Sequence, residues 1–599
     1  MNAFSFPRSA RLPQTAHGLI LAVLVLGLAG CAGSKPYTLE PVKTVDLDNR
    51  PVDAPRSIEQ NMYWDRVDLS VFHQVEKPLN LNWTGRKIGQ LVGATGKKQA
   101  DNVNALDEPP NSSWYERRHF YDPMTPEELA HGPNPEASAA PDTSGAWTIW
   151  QGKSVGAAAG FFIEDARGDR FLIKLDQPEF PGLASTAEII ATKIYYGAGY
   201  HVPQNAITYF DPDQVVIDED ATIEENGKER PMTRTDLRSV LEGIPRTESG
   251  TVRGMASRFV QGEVLGPWNY IGRRGDDPND RVRHQHRREL RGLRVVSSWL
   301  NDTDRRAANT LAVYTEDQYV KHYLQDMGST LGANTGAPHK RIHGQAYMID
   351  QRKITKSWLS LGSYRFPWWH YEYTIPYPSV GYWRADVFKP GDWVPTYPNP
   401  AFEKMTLRDA FWGAKQVMSF RDEDLKAIVE SAQMPDPEAR AYLLDVLKKR
   451  RDMVGRYWFS RMNPLDRFRI ERAATPEIAS AQAANQPAPR RRLAFDDLAV
   501  TGNLESPETT RYAYTIRRDG QLLNEHAAAQ PSIPLETSEG TPLAGYLRKR
   551  GHTTDDERVI AVEIRTRRAD DAPSKPVRVY VHYPADGASP RVAGIEREE

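Results

Sequence analysis

The chain has 599 residues, of which 39% are hydrophobic and 26% charged, and its formal net charge is −2. This is the composition of a folded polypeptide long enough for several cores, and it excludes a disordered chain. A balance so close to neutral also excludes a global field that would gather nucleic acid. Cys31 is the single cysteine, so no disulfide can form within the chain and its stability must come from burial.

In chain order, Arg8 and Arg11 form a positive leader and Leu19 to Gly30 an apolar run of signal-peptide length. The run ends Leu28-Ala-Gly-Cys31. This resembles the lipobox of bacterial lipoproteins, which implies that residues 1–31 are a signal segment and that Cys31 is lipidated as the mature first residue. Ala32, not an aspartate, follows; by the same resemblance the protein is expected on the outer membrane, facing the periplasm. No second long apolar run exists, so the expected partner is the bilayer, reached through lipid chains and not through a spanning helix.

Residues 32–60 read as a polar tether. Residues 61–146 are loop-rich, with a turn at Asn111-Ser-Ser-Trp114 and a helix start at Met124-Thr-Pro-Glu-Glu. Trp147 to Gln151, Gly160 to Glu164 and Arg170 to Lys174 alternate as strands around small-residue turns. Ser185 to Tyr196 has helical apolar spacing and His201 to Phe210 returns as a strand, so 147–262 is expected to form a β-rich lobe with a charged surface insertion at 211–250. Leu290, Leu293, Val296 and Leu300 share a helix face, and Leu407–Met418, Asp422–Ser431 and Pro437–Tyr457 are three more amphipathic helices. They make 263–472 a helical lobe. An Ala/Pro/Gln-rich linker, 473–490, leads to 491–599, whose period-two pattern and Asp519-Gly520 turn predict an all-β, sandwich-like domain.

The stretch with most chemistry is Trp299-Leu-Asn-Asp-Thr-Asp304-Arg-Arg-Ala-Ala-Asn309. A carboxylate stands five positions before an amide, a hairpin pattern follows, and then comes Tyr323-Leu-Gln-Asp326-Met-Gly328. Phosphoryl transfer needs a base near the acceptor hydroxyl and oxygen ligands that hold Mg²⁺ against phosphates.

Taken in order, Lys174, the helix from Ser185, Thr303-Asp304-x4-Asn309 and Asp326-Met-Gly328 resemble the kinase fold, in the divergent branch that includes the HipA-type kinases. The resemblance covers residues 147 to 460. It implies an α+β fold of two lobes, β-rich small and helical large, to which the β-sandwich-like domain is appended. It further implies ATP and Mg²⁺ as cofactors, with Lys174 on the phosphates, Glu188 paired to it, Asp304 on the acceptor, Arg306 on the transferring phosphate, and Asn309 and Asp326 on the metal. Gly152, Gly156 and Gly160 would let backbone approach the phosphates, although the Gly-x-Gly-x-x-Gly pattern is absent. Asp302-Thr303 stands where protein kinases have His-Arg, and Ser-Thr-Leu-Gly follows Gly328 where an activation segment would begin, which argues against a protein substrate.

Residue chemistry leaves competing uses open. Ser185-x-x-Glu188 is also a capping box, which would spend Glu188 on a free backbone N–H. Phe366-Pro-Trp-Trp-His-Tyr-Glu-Tyr, with Tyr382, Trp383 and Trp393, suits a loop-rich core better than a sugar platform. Asp276-Asp-Pro-Asn-Asp280 lacks the EF-hand glutamate and is expected to be a solvated turn; His284 and His286 lack zinc spacing. The function expected is phosphoryl transfer from a nucleotide to an unknown envelope acceptor. The alternative is a pseudokinase or scaffold that binds a glycan, peptide or partner protein.

Overall fold

Alternating apolar side chains build the first sheet of the computed structural model, which describes residues 37–58, 97–134, 139–153, 158–225, 227–361, 363–472, 490–552, 554–569 and 571–599. Cys31, the start of the tether, Gly156 and the linker 473–489 lie outside these residues. A short helix, α1 (Pro126–His131), opens with the Thr125–Glu128 capping box. Next come β1 (Trp147–Gly152), β2 (Gly160–Glu164), β3 (Arg170–Lys174), helix α2 (Leu183–Gly197), β4 (Asn205–Phe210), β5 (Val215–Glu225), β6 (Lys228–Pro231), helix α3 (Arg234–Leu241) and β7 (Val252–Arg258). The seven strands form one sheet in the order β4–β7–β3–β2–β1–β5–β6. The charged segment expected as a surface insertion therefore extends the sheet, with β5 running parallel to β1. After Val215-Val-Ile its apolar positions are too sparse to show as a strand pattern, and only β6 forms the sheet's outer edge.

Two cores flank this sheet. Ile149, Phe161, Ile163, Phe171, Ile173 and Leu175 pack with Leu237 of α3. Neighbouring residues of β7 divide between the cores: Ala256 joins this cluster, while Met255 joins Ile189, Ile190 and Ile194 of α2 in the larger one. Alternation along β3 thus sends Phe171 and Ile173 one way and Lys174 the other, towards α2.

The larger core continues into the helical lobe. Helix α4 (Arg288–Leu300) buries Leu290, Leu293, Val296 and Leu300 together, as their spacing predicts. Strands β8 (Glu263–Gly266), β9 (Thr310–Tyr314) and β10 (Val320–Leu324) form a small sheet in the order β10–β9–β8. A surface helix, α5 (Gln351–Leu359), precedes α6 (Pro400–Lys404), α7 (Leu407–Ser419), α8 (Asp422–Glu430) and α9 (Pro437–Phe459). Truncating a fully buried leucine such as Leu293 to alanine would cost about 2–5 kcal/mol.

The carboxy-terminal part is all-β but for short helical turns, and two sheets share one core: Leu493, Phe495 and Ile533 meet Tyr514, Ile516, Val562 and Val579. Asp519 and Gly520 both have positive φ (46° and 80°), which closes the expected hairpin. The first strand of the smaller sheet, Leu465–Arg472, comes from the segment assigned to the helical lobe. Buried charges fasten this part to the rest. Lys415 of α7 pairs with Glu108 and, at 3.1 Å, with Asp466, which also receives Arg597 at 3.0 Å. Arg597 also lies 3.8 Å from Asp107, which pairs at 2.8 Å with Arg288 of α4. Each charge takes its partner from a different segment, so the segments are docked by ions that would be costly to separate.

Candidate active site

Asp176, just past β3, accepts hydrogen bonds from the backbone of Ala184 (2.8 Å) and Ser185 (2.9 Å) and from the Ser185 hydroxyl (2.6 Å). It satisfies the start of α2, whose N-cap, Gly182, offers no side chain. The capping box expected at Ser185–Glu188 is therefore not formed: the helix begins two residues earlier and is capped from outside. Glu188 is released, and it turns to Lys174, whose ammonium donates to both carboxylate oxygens at 3.0 Å.

The same ammonium reaches Asp326 Oδ1 at 3.3 Å. Burial pushes the Glu188 carboxyl up, against the pull of Lys174. The ammonium of Lys174 holds the Asp326 carboxyl below its ordinary value. For Lys174, burial disfavours the charge, but Asp326 and Glu188 outweigh it and hold the ammonium above the ordinary lysine value. Glu188 is buried, whereas the Asp326 side chain is 47% exposed. The triad thus has a closed side and an open side.

Asp304 and Asn309 lie on the loop between α4 and β9. The Asn309 amide donates to the Asp304 carbonyl (2.8 Å) and carboxylate (3.0 Å), and Arg306 Nε donates to the same carboxylate at 2.8 Å. Arg306 also lies 5.6 Å from the Tyr397 ring. It is no solvated surface arginine.

Backbone bonds tie this loop to the Asp326 loop. Gln325 N–H donates to the Asn309 carbonyl at 3.1 Å. Arg305, fully buried, pairs with Asp302 at 2.7 Å and donates to the backbone carbonyl of Asp326. Asp302 in turn accepts from Tyr195 of α2 at 2.7 Å. Asp326 itself has φ 53°, a left-handed backbone that aspartate tolerates. The structure joins Lys174, Glu188 and Asp326 directly, joins Asp304, Arg306 and Asn309 directly, and links the two groups through Arg305 and the Gln325 backbone.

The glycines behave differently. A Cβ on Gly160 would meet the Ile173 carbonyl at 2.1 Å, and one on Gly152 would meet the Ile223 side chain at 2.9 Å. Strand crowding is by itself enough to require both glycines.

Other expectations resolve as follows. Trp368, Tyr382, Trp383 and Trp393 are buried, but Trp369 is exposed, so the aromatic cluster is only partly core. The acidic turn is packed, not solvated: Asp277, Asn279 and Asp280 are buried, and Asp280 accepts from His284 at 2.7 Å and pairs with Arg287.

Sequence reasoning missed Arg305, Asp176 and Lys153. Arg305 adjoins Asp304, and nothing in its spacing separates it from Arg306. Lys153, at the end of β1, donates to the Ala158 carbonyl at 2.6 Å. Burial and the nearby Lys174 ammonium hold it below the ordinary lysine value, which places a second cation near the triad.

The donor set suits one metal chemistry. No group of three or more His, Cys, Asp or Glu side chains that could cage an ion is present among the described residues. Mg²⁺ does not need such a cage: it keeps water and is held by one or two side-chain oxygens plus substrate phosphates. Asp326, half-exposed, beside a cation and with no atom within 3.4 Å of a Cβ built on Gly328, fits that description.

No family model and no curated protein matches the chain. Among solved structures, the Helicobacter pylori proinflammatory kinase CtkA is similar at 11% identity, with 54% of this chain and 99% of that chain covered and a TM-score of 0.28. The golgi casein kinase is similar at 9% identity, with 70% and 96% covered and a TM-score of 0.27.

Proposed function

We propose that the protein is a kinase-like phosphotransferase that moves a phosphoryl group from ATP to a hydroxyl on an envelope acceptor. The observation that carries this reading is Lys174 held between Glu188 at 3.0 Å and Asp326 at 3.3 Å. A lysine fixed by a buried glutamate is a rigid cation for phosphate oxygens. Asp326 and Asn309 would hold Mg²⁺, which supplies charge neutralisation across the phosphates when bound. Asp304, oriented by Asn309 and Arg306, faces the acceptor and takes its hydroxyl proton as the new P–O bond forms and the bond to the ADP oxygen breaks. Arg306 offsets charge that develops on the phosphoryl oxygens.

The same reading places the enzyme on the periplasmic face of the outer membrane, anchored through lipidated Cys31; the Leu28-Ala-Gly-Cys31 pattern supports it. The test is incubation of envelope fractions with ATP labelled at the γ-phosphate. Label should pass to an envelope component in the presence of Mg²⁺, and Asp304→Asn should reduce transfer by a factor on the order of 10²–10⁴. Equal transfer by the wild type and Asp304→Asn overturns the reading.

A further inference from the structure

Helix α5 inverts the usual logic of a surface helix. Its apolar residues Ile354 (48% exposed) and Trp358 (83%) stand at i and i+4 and face outward, and Leu361 (96%), in a left-handed turn just past the helix (φ 50°), is bonded back to the Trp358 carbonyl and exposed too. Leu359 is 82% exposed, and so are Met348 (59%) before the helix and Trp369 (57%) after it in the chain. None of the described side chains of α5 is fully buried. Exposed apolar residues at this density along one segment mark an interaction site.

Its borders are basic. Lys340, Arg341, Lys356, Arg365 and Lys389 are exposed, and they outnumber the exposed acids Glu372, Asp386 (paired with Arg384) and Asp392 (which faces Lys353). Asp350 is occupied, because its carboxylate caps α5 at Lys353 N–H. Lys353 lies 4.9 Å from the Trp368 ring and donates to the Gln345 carbonyl, so the helix is held against the body while its outer stripe stays uncovered.

We propose that this face, formed by Met348, Ile354, Lys356, Trp358, Leu359, Leu361, Arg365 and Trp369, docks on an anionic lipid surface. Trp and Leu side chains flanked by Lys and Arg match the boundary between headgroups and acyl chains, where an indole ring is at home and cations meet lipid phosphates. The charge pattern selects lipid over a second copy of this chain. A two-fold contact would set Lys356 and Arg365 against their own equivalents, whereas an anionic bilayer complements them. No helix among the described residues is long and apolar enough to cross a membrane, so the face would lie on the bilayer and not span it. This contact is separate from the nucleotide site and does not rest on the function proposed above.

The test uses the full chain, with Cys31→Ser removing the single native thiol and Leu361→Cys carrying an environment-sensitive fluorophore. A second protein carries the label at Asp519→Cys, on the distant β-hairpin. Both are mixed with vesicles that contain phosphatidylglycerol and lipids with a quencher in the acyl chain. The proposal expects the label at 361 to be quenched at least twofold, the label at 519 to be unchanged, and the quenching to fall sharply on phosphatidylcholine alone. Absence of quenching at 361, equal quenching at both positions, or concentration-dependent shielding of 361 without vesicles (which would indicate self-association) overturns it.

Discussion

Lys174 and Asp326 stand 152 residues apart in the chain, and their side chains meet at 3.3 Å. One lies at the end of a sheet strand, the other on a loop that follows the small sheet of the helical lobe. Glu188 completes the meeting from α2, so three segments depend on one ammonium.

That dependence has an energetic consequence. Lys174→Met should leave the buried Glu188 carboxylate without its cation and destabilise the protein by about 3 kcal/mol. Adding Glu188→Gln should restore part of the loss, because a neutral amide is less costly to bury than an unpaired carboxylate. Urea unfolding of the two variants measures both effects.

The joint between the two loops rests on Arg305. Lysine in its place keeps the charge but cannot both pair with Asp302 and reach the Asp326 carbonyl with a planar fork. Arg305→Lys should cost about 2 kcal/mol of stability and weaken Mg-ATP binding, although Arg305 is expected to touch neither ligand. Calorimetric titration separates these outcomes: unchanged affinity in a destabilised variant would confine Arg305 to a structural role.

Asp176 governs where α2 begins. Asp176→Ala removes the acceptor of two backbone N–H groups and should cost about 1–2 kcal/mol. Hydrogen exchange at the first turn of α2 should rise, with Glu188 less firmly placed. Unchanged exchange at Ala184 and Ser185 would refute the capping assignment.

Acid should destabilise the protein by forcing protons onto its buried histidines. Burial first, then neighbouring charges, holds His201, His322 and His339 well below the ordinary histidine value, and His286 and His343 are lowered to about 4. In the unfolded chain these groups take up protons near pH ~6.5. Stability is therefore full above that value and declines as pH falls towards the folded values, by at most about 1.4 kcal/mol per pH unit for each of the three fully buried rings. The urea midpoint should drop between pH 7 and pH 5, and His322→Gln should make the drop shallower. Asp326, held below the ordinary aspartate value by Lys174, contributes stability that is lost only in stronger acid.

Much of this architecture is legible in the sequence. The α4 face is written at helical spacing, and the strands of the first sheet at period two, because burial on one side imposes those periods. The segment 215–231 escaped this logic, since charged residues fill most of β5 beyond Ile217 and most of the edge strand β6. For the site, the spacing of Asp304 and Asn309 already fixes a loop. Two things were hidden. Asp176 caps α2 from outside the helix, which no local motif announces. Arg305 differs from Arg306 only in which way its side chain turns, and that is set by Asp302 and Tyr195 from another helix. Gly160 has a reason the sequence does not show: a side chain there would collide with the Ile173 carbonyl.

The most direct measurement is the thermal unfolding of the full chain with and without Mg-ATP. Asparagine tolerates the left-handed backbone at position 326, so Asp326→Asn should remove the carboxylate and leave the fold. The account predicts a rise in melting temperature for the wild type that chelation of Mg²⁺ cancels, and no rise for Asp326→Asn. A wild type indifferent to Mg-ATP, or an undiminished rise in the variant, would contradict it.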